Sequence, residues 1–354
     1  MNVNSYFFDT VHLLRQLISI PSISGEENQL ADFLEFTLKE KKYSPKRKGN
    51  NIWLLSPDWN DRKPVILLNS HIDTVKPVAG WTIDPFLPLE EDGKLFGLGS
   101  NDAGASVVSL LQVFIALSQT PQENNFIFLA SCEEEISGKN GTESVLPELP
   151  TIDLGIVGEP TSMQPAIAEK GLMVLDGVVC GKAGHAAREE GENAIYKAIP
   201  VIEWFRNKRF PEISPLLGEV KMTVTGVQAG TQHNVIPGEC KFTVDIRTNE
   251  LYTNEALFEA ISGACGAEVR ARSFRLGSSR ISTEHPVVQR AIELGMRPFG
   301  SPTLSDQTFM RFPSMKIGPG ESARSHTADE FIFLPEIDGA IDRYLALLSN
   351  IKIG

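Results

Sequence analysis

Two histidines and a set of carboxylates occupy comparable places in this chain, each just after an apolar or glycine-rich run. His71 and Asp73 follow residues 65–70, Asp102 follows 95–101, and Glu133-Glu134-Glu135 follow 126–132. Glu159 follows 154–158, and His326 lies within Arg324-Ser325-His326-Thr327-Ala328-Asp329-Glu330. Two imidazoles with three or more carboxylates and no cysteine suit a pair of borderline-hard divalent ions. Zinc is the usual choice, and cobalt or manganese can substitute. One carboxylate would have to bridge. Two such ions roughly 3.5–4 Å apart polarise a carbonyl and lower the pKa of a shared water, which is the chemistry of amide hydrolysis. Residues two apart in an extended chain share a side, so Asp73 is expected to accept a hydrogen bond from one ring nitrogen of His71 and leave the other for a metal. Taken singly, each residue has an ordinary reading: Asp102 as a helix cap, Glu159 before Pro160 as a turn residue, His326 as a loop residue. Their joint placement at separate strand ends points to a site.

The elements that must position these residues are legible as hydrophobic runs. Residues 51–56, 64–70, 126–132 and 154–158 read as strands, the later ones buried on both faces, and a helix over 105–119 starts close behind Asp102. Small residues in Gly97-Leu98-Gly99-Ser100-Asn101-Asp102-Ala103-Gly104 let the backbone turn sharply there. Apolar spacing predicts a helix over 8–20, and Ser24-Gly25-Glu26-Glu27 has the form of a capping box opening a second helix to about residue 41. Between about 165 and 279 alternating strands mix with helices over 193–208 and 254–264, in the order strand, helix, strand, strand, helix, strand. Helices over 286–294 and 336–348 and a short strand at 315–317 return the chain to the first pattern. The expected fold is α/β, a mixed, mainly parallel sheet flanked by helices, with an inserted α+β ferredoxin-like domain. The first domain would comprise 1–164 and 281–354, and the insert 165–280. An exposed sheet edge on the insert would invite pairing into a homodimer.

Composition bounds the alternatives. A formal net charge of -12 without a cluster of Lys and Arg argues against nucleic acid as a partner. Cys132, Cys180, Cys240 and Cys265 have no ligand-like spacing and read as small core residues. No apolar run is expected to cross a bilayer, and residues 1–5 lack a signal-peptide start, so the expected location is cytoplasmic. Gly97-Leu98-Gly99 lacks the further glycine of a phosphate-binding loop.

The segments Asn69-Ser70-His71-Ile72-Asp73-Thr74, Gly97 to Gly104, Glu133-Glu134-Glu135, Gly158-Glu159-Pro160 and Ser325-His326-Thr327-Ala328-Asp329-Glu330 resemble, in order, the five signatures of the co-catalytic zinc aminoacylases and exopeptidases. That family includes acetylornithine deacetylase, succinyl-diaminopimelate desuccinylase and carboxypeptidase G. The resemblance implies a zinc-exopeptidase-like catalytic domain with a lid and dimerisation insert, two Zn2+, and an N-acyl amino acid as substrate. It implies His71 and Glu159 on one zinc, His326 and a Glu of the triplet on the other, Asp102 bridging, and Asp73 orienting His71. The base and ligand would be Glu134 and Glu135, or, with the register slipped by one, Glu133 and Glu134. The resemblance also implies a cis peptide after Asp102, although the lysine common near the following glycine is absent from Ala103-Gly104-Ala105.

In the insert, Gly181-Lys182-Ala183-Gly184-His185 resembles the lid motif, making His185 a donor to the oxyanion from the same or a partner subunit. Asn234 would assist it, and Arg247 would pair with the substrate carboxylate, or else form a strand-end salt bridge. Thr303 and Ser305 match a pocket loop. Arg188 would receive a succinyl carboxylate, or else remain a solvated charge. The reading nearest in pattern is an acetylornithine deacetylase of arginine biosynthesis. Alternatives are a deacylase of N-acetyl- or N-succinyl-citrulline or -ornithine or of succinyl-diaminopimelate, or a dipeptidase or carboxypeptidase. His12 and His285 read as ordinary helix or cap residues.

Overall fold

The protein is described from a computed structural model over residues 9–353. The readings of residues 1–5 and of residue 8 as a helix start lie outside the described residues. The chain forms two compact units. One comprises the residues up to Ile167, Arg280–Phe299 and those from Ser305 onward; the other comprises Ala168–Ser279 and Gly300–Leu304.

In the first unit four parallel strands lie in the order Asn125–Ser131, Val65–His71, Leu154–Val157, Ser314–Lys316. Every residue of Val65–His71 and Asn125–Ser131 is buried, which is why these strands are near-continuous apolar runs with no alternation. Asn51–Leu55 adds an antiparallel strand outside Asn125–Ser131, and Lys46–Lys48 another beyond it. Because His71 pairs with Ser131, Asn69 with Val157 and Val157 with Lys316, the carboxyl ends of all four parallel strands open at one sheet edge. Ligand chemistry gathers at such edges.

Helix Ala105–Leu117 packs on Val65–His71 and Asn125–Ser131 and against the closing helix Leu334–Leu348. The stretch Ser100–Leu117 corrects the expectation about membrane length: it is long and apolar enough to cross a bilayer. It is also 83% buried inside the protein, so its apolar surface on all sides is that of a core helix. The capping box at Ser24 is corrected too. Helix Asn28–Glu40 starts without a side-chain cap, and Ser24 Oγ donates instead to Asp73 Oδ2 at 2.7 Å.

The second unit holds four strands in the order Lys221–Ala229, Glu239–Thr248, Gly171–Cys180, Glu268–Ala271, each antiparallel to its neighbour. Counted along the chain they are the second, third, first and fourth, the ferredoxin-like order. Helices Ala194–Asn207 and Asn254–Ser262 contribute Ala198, Phe205, Leu257 and Ile261 to one core with Leu175, Phe242 and Val244 of the strands. Gly171–Cys180 and Glu239–Thr248 alternate buried and more open residues, as strands covered on one face do. Lys221–Ala229 is an edge strand, and most of its residues are exposed.

Candidate metal centre

Five segments of the first unit converge. His71 ends the central strand, and its Nε2 lies 3.2 Å from Asp102 Oδ1, 3.9 Å from Glu159 Oε1 and 4.0 Å from Glu134 Oε2. His326 Nε2 lies 2.9 Å from Glu135 Oε2 and 3.8 Å from Asp102 Oδ2. Asp102 therefore turns one carboxylate oxygen toward each imidazole. It sits in an irregular turn over Ser100–Gly104, and the Asp102–Ala103 peptide is cis. Glycine is required at both ends of that turn. Gly99 has φ +77°, and a Cβ on Gly104 would stand 2.5 Å from the Gly99 carbonyl oxygen.

The orientation of His71 differs from the sequence reading. Its Nδ1 lies 2.9 Å from the backbone oxygen of Asp73 and 3.6 Å from Oδ1, so the main chain, not the carboxylate, takes this hydrogen bond. The Asp73 carboxylate is committed elsewhere. Glu134 N–H donates to Oδ1 at 3.0 Å and Glu135 N–H to Oδ2 at 3.1 Å, beside the Ser24 hydroxyl. Glu133 N–H, at a residue with φ +55°, donates to the buried Glu27 at 3.2 Å. The Glu133 side chain turns away from the cluster and accepts from Asn140 through both its backbone N–H and its amide. Of the triplet, only Glu134 and Glu135 face the histidines.

The electrostatics of the cluster are those of crowded, buried anions. Burial opposes charge on His71, but Asp102, Asp73 and Glu134 outweigh it and hold its pKa well above the usual value. Burial, then repulsion from Glu159, pushes Glu134 well up; burial raises Glu135; burial, then Asp102, raises Glu159 to about 8. Asp102 is held low, its burial outweighed by His71. His326 is raised to about 9, mainly by its hydrogen bond to Glu135. The donor set fits divalent cations. His71, Asp102 and Glu135 bring ligand atoms within 4.8 Å of one another, as do His71, Glu134 and Glu159. Glu159 Oε1 is buried with no hydrogen-bond partner among the described residues, a costly arrangement unless a cation takes the lone pairs.

Four residues that lie within the segments singled out from sequence, Asp306 in the pocket loop among them, act as anchors, a role the sequence did not reveal. Glu27, Asn101, Asp306 and Glu330 are buried, and Glu330 accepts three backbone N–H groups of the Asp102 turn. Asp306 Oδ2 accepts from Ser131 Oγ at 2.8 Å and Thr142 Oγ1 at 2.6 Å, and burial raises its pKa. Ser305, expected to bind substrate, is 1% exposed, and its hydroxyl accepts Gln307 N–H at 3.4 Å. Thr303 is exposed and its hydroxyl lies 3.0 Å from that of Ser301.

In the second unit the ladder of Gly184–His185 with Val235–Ile236 places His185 opposite Val235, next in sequence to Asn234. Ala187 N–H donates to His185 Nδ1 at 3.1 Å, which leaves Nε2 as the ring nitrogen that can donate. Arg188 is exposed, and its N–H donates to the His185 carbonyl at 2.8 Å. Arg247 forms the strand-end pair anticipated as its alternative, with Nε and Nη2 on Asp245 at 2.9 and 3.2 Å.

Comparison with known proteins places this geometry among enzymes. The model of peptidase family M20/M25/M40 matches residues 67–350. Succinyl-diaminopimelate desuccinylase 2 of Ruegeria sp. (strain TM1040) is 26% identical over 386 aligned positions, covering 97% of this chain and 95% of that one. Acetylornithine deacetylase of Proteus mirabilis (strain HI4320) is 27% identical over 373, covering 96% of each. The crystal structure of aminopeptidase PepT from Bacillus cereus ATCC 10987 shares the fold, with a TM-score of 0.78 at 19% identity over 96% of this chain and 97% of that chain.

Proposed function

This chain belongs to peptidase family M20/M25/M40 and is a metal-dependent amidohydrolase or peptidase, and we propose that it cleaves the amide bond of an N-acyl amino acid, with an acetylornithine-type substrate first in line. The observation that carries the reading is the split of Asp102 between His71 and His326, with Glu159 and Glu135 on the two sides.

We assign His71, Glu159 and Asp102 to one cation and His326, Glu135 and Asp102 to the other, with zinc the expected metal. Bound there, two divalent ions would polarise the acyl carbonyl and lower the pKa of an attacking water. Glu134 is the proposed base: it takes the proton of the attacking water and passes it to the leaving amine. Its neighbours support this role, since Asp73 fixes its backbone and the Glu133 carboxylate is turned away. His185 Nε2 is the proposed oxyanion donor, with Asn234 beside it in sequence register. Thr303 and Arg247 are proposed substrate contacts, and for Arg247 a substrate carboxylate would share the guanidinium with Asp245. The edge strand Lys221–Ala229, flanked by a helix with Tyr196 and Ile199 exposed, supports a homodimer through the insert. A place in arginine biosynthesis in the cytoplasm belongs to the same proposal.

A second reading, a desuccinylase, is favoured by the exposed Arg188 directly after the His185 segment and by relatives of that name. Rates of amine release from N-acetylornithine, N-acetylcitrulline, N-succinylornithine and N-succinyl-diaminopimelate, with and without chelator, separate the two. Chelator-sensitive release from an acetyl substrate upholds the first; release from succinyl substrates alone, lost in Arg188→Ala, replaces it with the second. Cleavage of none of the four, with two metals bound, moves the assignment to dipeptides.

A further inference from the structure

Two buried residues outside the ligand set tie the Asp102 turn to the His326 loop. Glu330, four residues after His326 and 2% exposed, accepts the N–H groups of Asn101 and Asp102 on Oε1 at 2.9 Å each, and that of Gly99 on Oε2 at 3.2 Å. Asn101, directly before Asp102, reaches back the other way. Its Oδ1 accepts Glu321 N–H at 3.0 Å, and its Nδ2 donates to the Glu321 carbonyl at 3.1 Å and to Ser325 Oγ at 3.3 Å. A Cβ on Gly320 would stand 2.2 Å from Asn101 Oδ1, so only glycine permits the approach. The six hydrogen bonds run in both directions between the same two segments. One segment holds the carboxylate that faces both imidazoles, the other holds one of those imidazoles.

We propose that Glu330 and Asn101 are positioning residues that set Asp102 and His326 relative to one another, and so fix the spacing of the cation pair they share. The proposal rests on the metal-centre reading above. Its physical content is preorganisation: a ligand already held needs no ordering when the ion binds, and outer partners of this kind typically govern metal affinity by about 10–100-fold. The residue types fit the task. A carboxylate only accepts, so Glu330 can take three donors at once, whereas Gln would set an amide N–H against one of them. Asn, with one acceptor and two donors on a short stem, meets a backbone N–H, a carbonyl and a hydroxyl together.

The test uses full-length Glu330→Gln and Asn101→Ala, stripped by chelator and titrated with Co2+. The readouts are stoichiometry, affinity and visible absorption, together with the melting temperature of the stripped protein. Each variant is expected to bind Co2+ about 10–100-fold more weakly than the parent, with an altered absorption envelope and a stripped-state melting temperature close to the parent's. Glu330→Asp, which keeps the carboxyl group, is expected to recover part of the affinity. Parent-like affinity and spectrum in both variants overturn the proposal. So does a lowered melting temperature with unchanged Co2+ affinity, which makes the contacts structural alone. If Glu330→Gln does not fold, Asn101→Ala and Glu330→Asp decide by the same criteria. Failure of the parent itself to take up two Co2+ counts against the metal-centre reading, whereas two ions in the parent and unchanged variants count against this inference alone.

Discussion

Asp73 holds Glu134 by its side chain and His71 by its main chain: Glu134 N–H donates to Asp73 Oδ1 at 3.0 Å, while His71 Nδ1 lies 2.9 Å from the Asp73 carbonyl oxygen. One residue thus places a candidate ligand and the candidate base. Asp73→Asn keeps the carbonyl contact but turns an amide N–H toward the N–H of Glu134 or Glu135. The expected cost is about 1–3 kcal/mol of stability, read by thermal or denaturant unfolding, with turnover reduced further. Parent-like unfolding and turnover would show that the carboxylate anchors nothing.

Replacement of Glu134 by Gln removes the proton acceptor and keeps the shape. Turnover is expected to fall by about 10²–10⁴-fold with two metals still bound. Loss of a metal instead would transfer the ligand role to Glu134 and restore the slipped register, against the outward turn of Glu133.

Chelation removes whatever the cation pair contributes to folding. Ligand present at a hundred times its dissociation constant stabilises by about 2.7 kcal/mol, so the stripped protein is expected to melt at lower temperature and to recover on adding Zn2+. Equal melting temperatures with and without chelator would refute cation binding by the folded state.

His285, outside the proposed ligand set, provides a pH test. It caps helix Pro286–Glu293 by accepting Val287 N–H on Nδ1 at 3.3 Å, which needs the neutral ring, and burial holds its pKa below the ordinary 6.5. The unfolded chain takes up the proton at higher pH than the folded one. The cap's contribution is therefore full above about 6.5 and is lost as pH falls through the folded pKa. His285→Asn, a cap that does not titrate, should flatten the dependence of melting temperature on pH between about 7.5 and 5. An unchanged slope would remove His285 from the account.

A Cβ at Gly104 would meet the Gly99 carbonyl at 2.5 Å and Leu14 Cδ1 at 2.7 Å. Gly104→Ala is therefore expected to destabilise by about 1–3 kcal/mol, as overpacking does, and to weaken metal uptake by shifting Asp102. An alanine variant of parental stability and metal content would show that the turn relaxes freely.

The parallel core and its strand-end residues were readable because buried strands write themselves as apolar runs, and a run ending in His71 or Glu159 advertises its own end. The anchors were not, since nothing local distinguishes the buried Glu27 or Glu330 from a surface glutamate. The partners that tie them to the site lie 106 and 228–231 residues away in sequence. Ser24 misled for a related reason. Ser-Gly-Glu-Glu has the form of a cap, but the distant Asp73 and Thr74, 49 and 50 residues on, capture the hydroxyl. Arg247 and Asp245, two apart on one strand, were within reach of each other by spacing alone.

The excursion of the chain into Ala168–Ser279 falls between Glu159 and His326. During synthesis, His71, Asp102, Glu135 and Glu159 emerge first, and the whole insert must follow before His326 and the Glu330 clamp leave the ribosome. Until then the growing polypeptide displays four acceptors and one imidazole too few. Occupancy of the proposed cation pair then requires synthesis past residue 326, and a product truncated before it is expected to carry less metal.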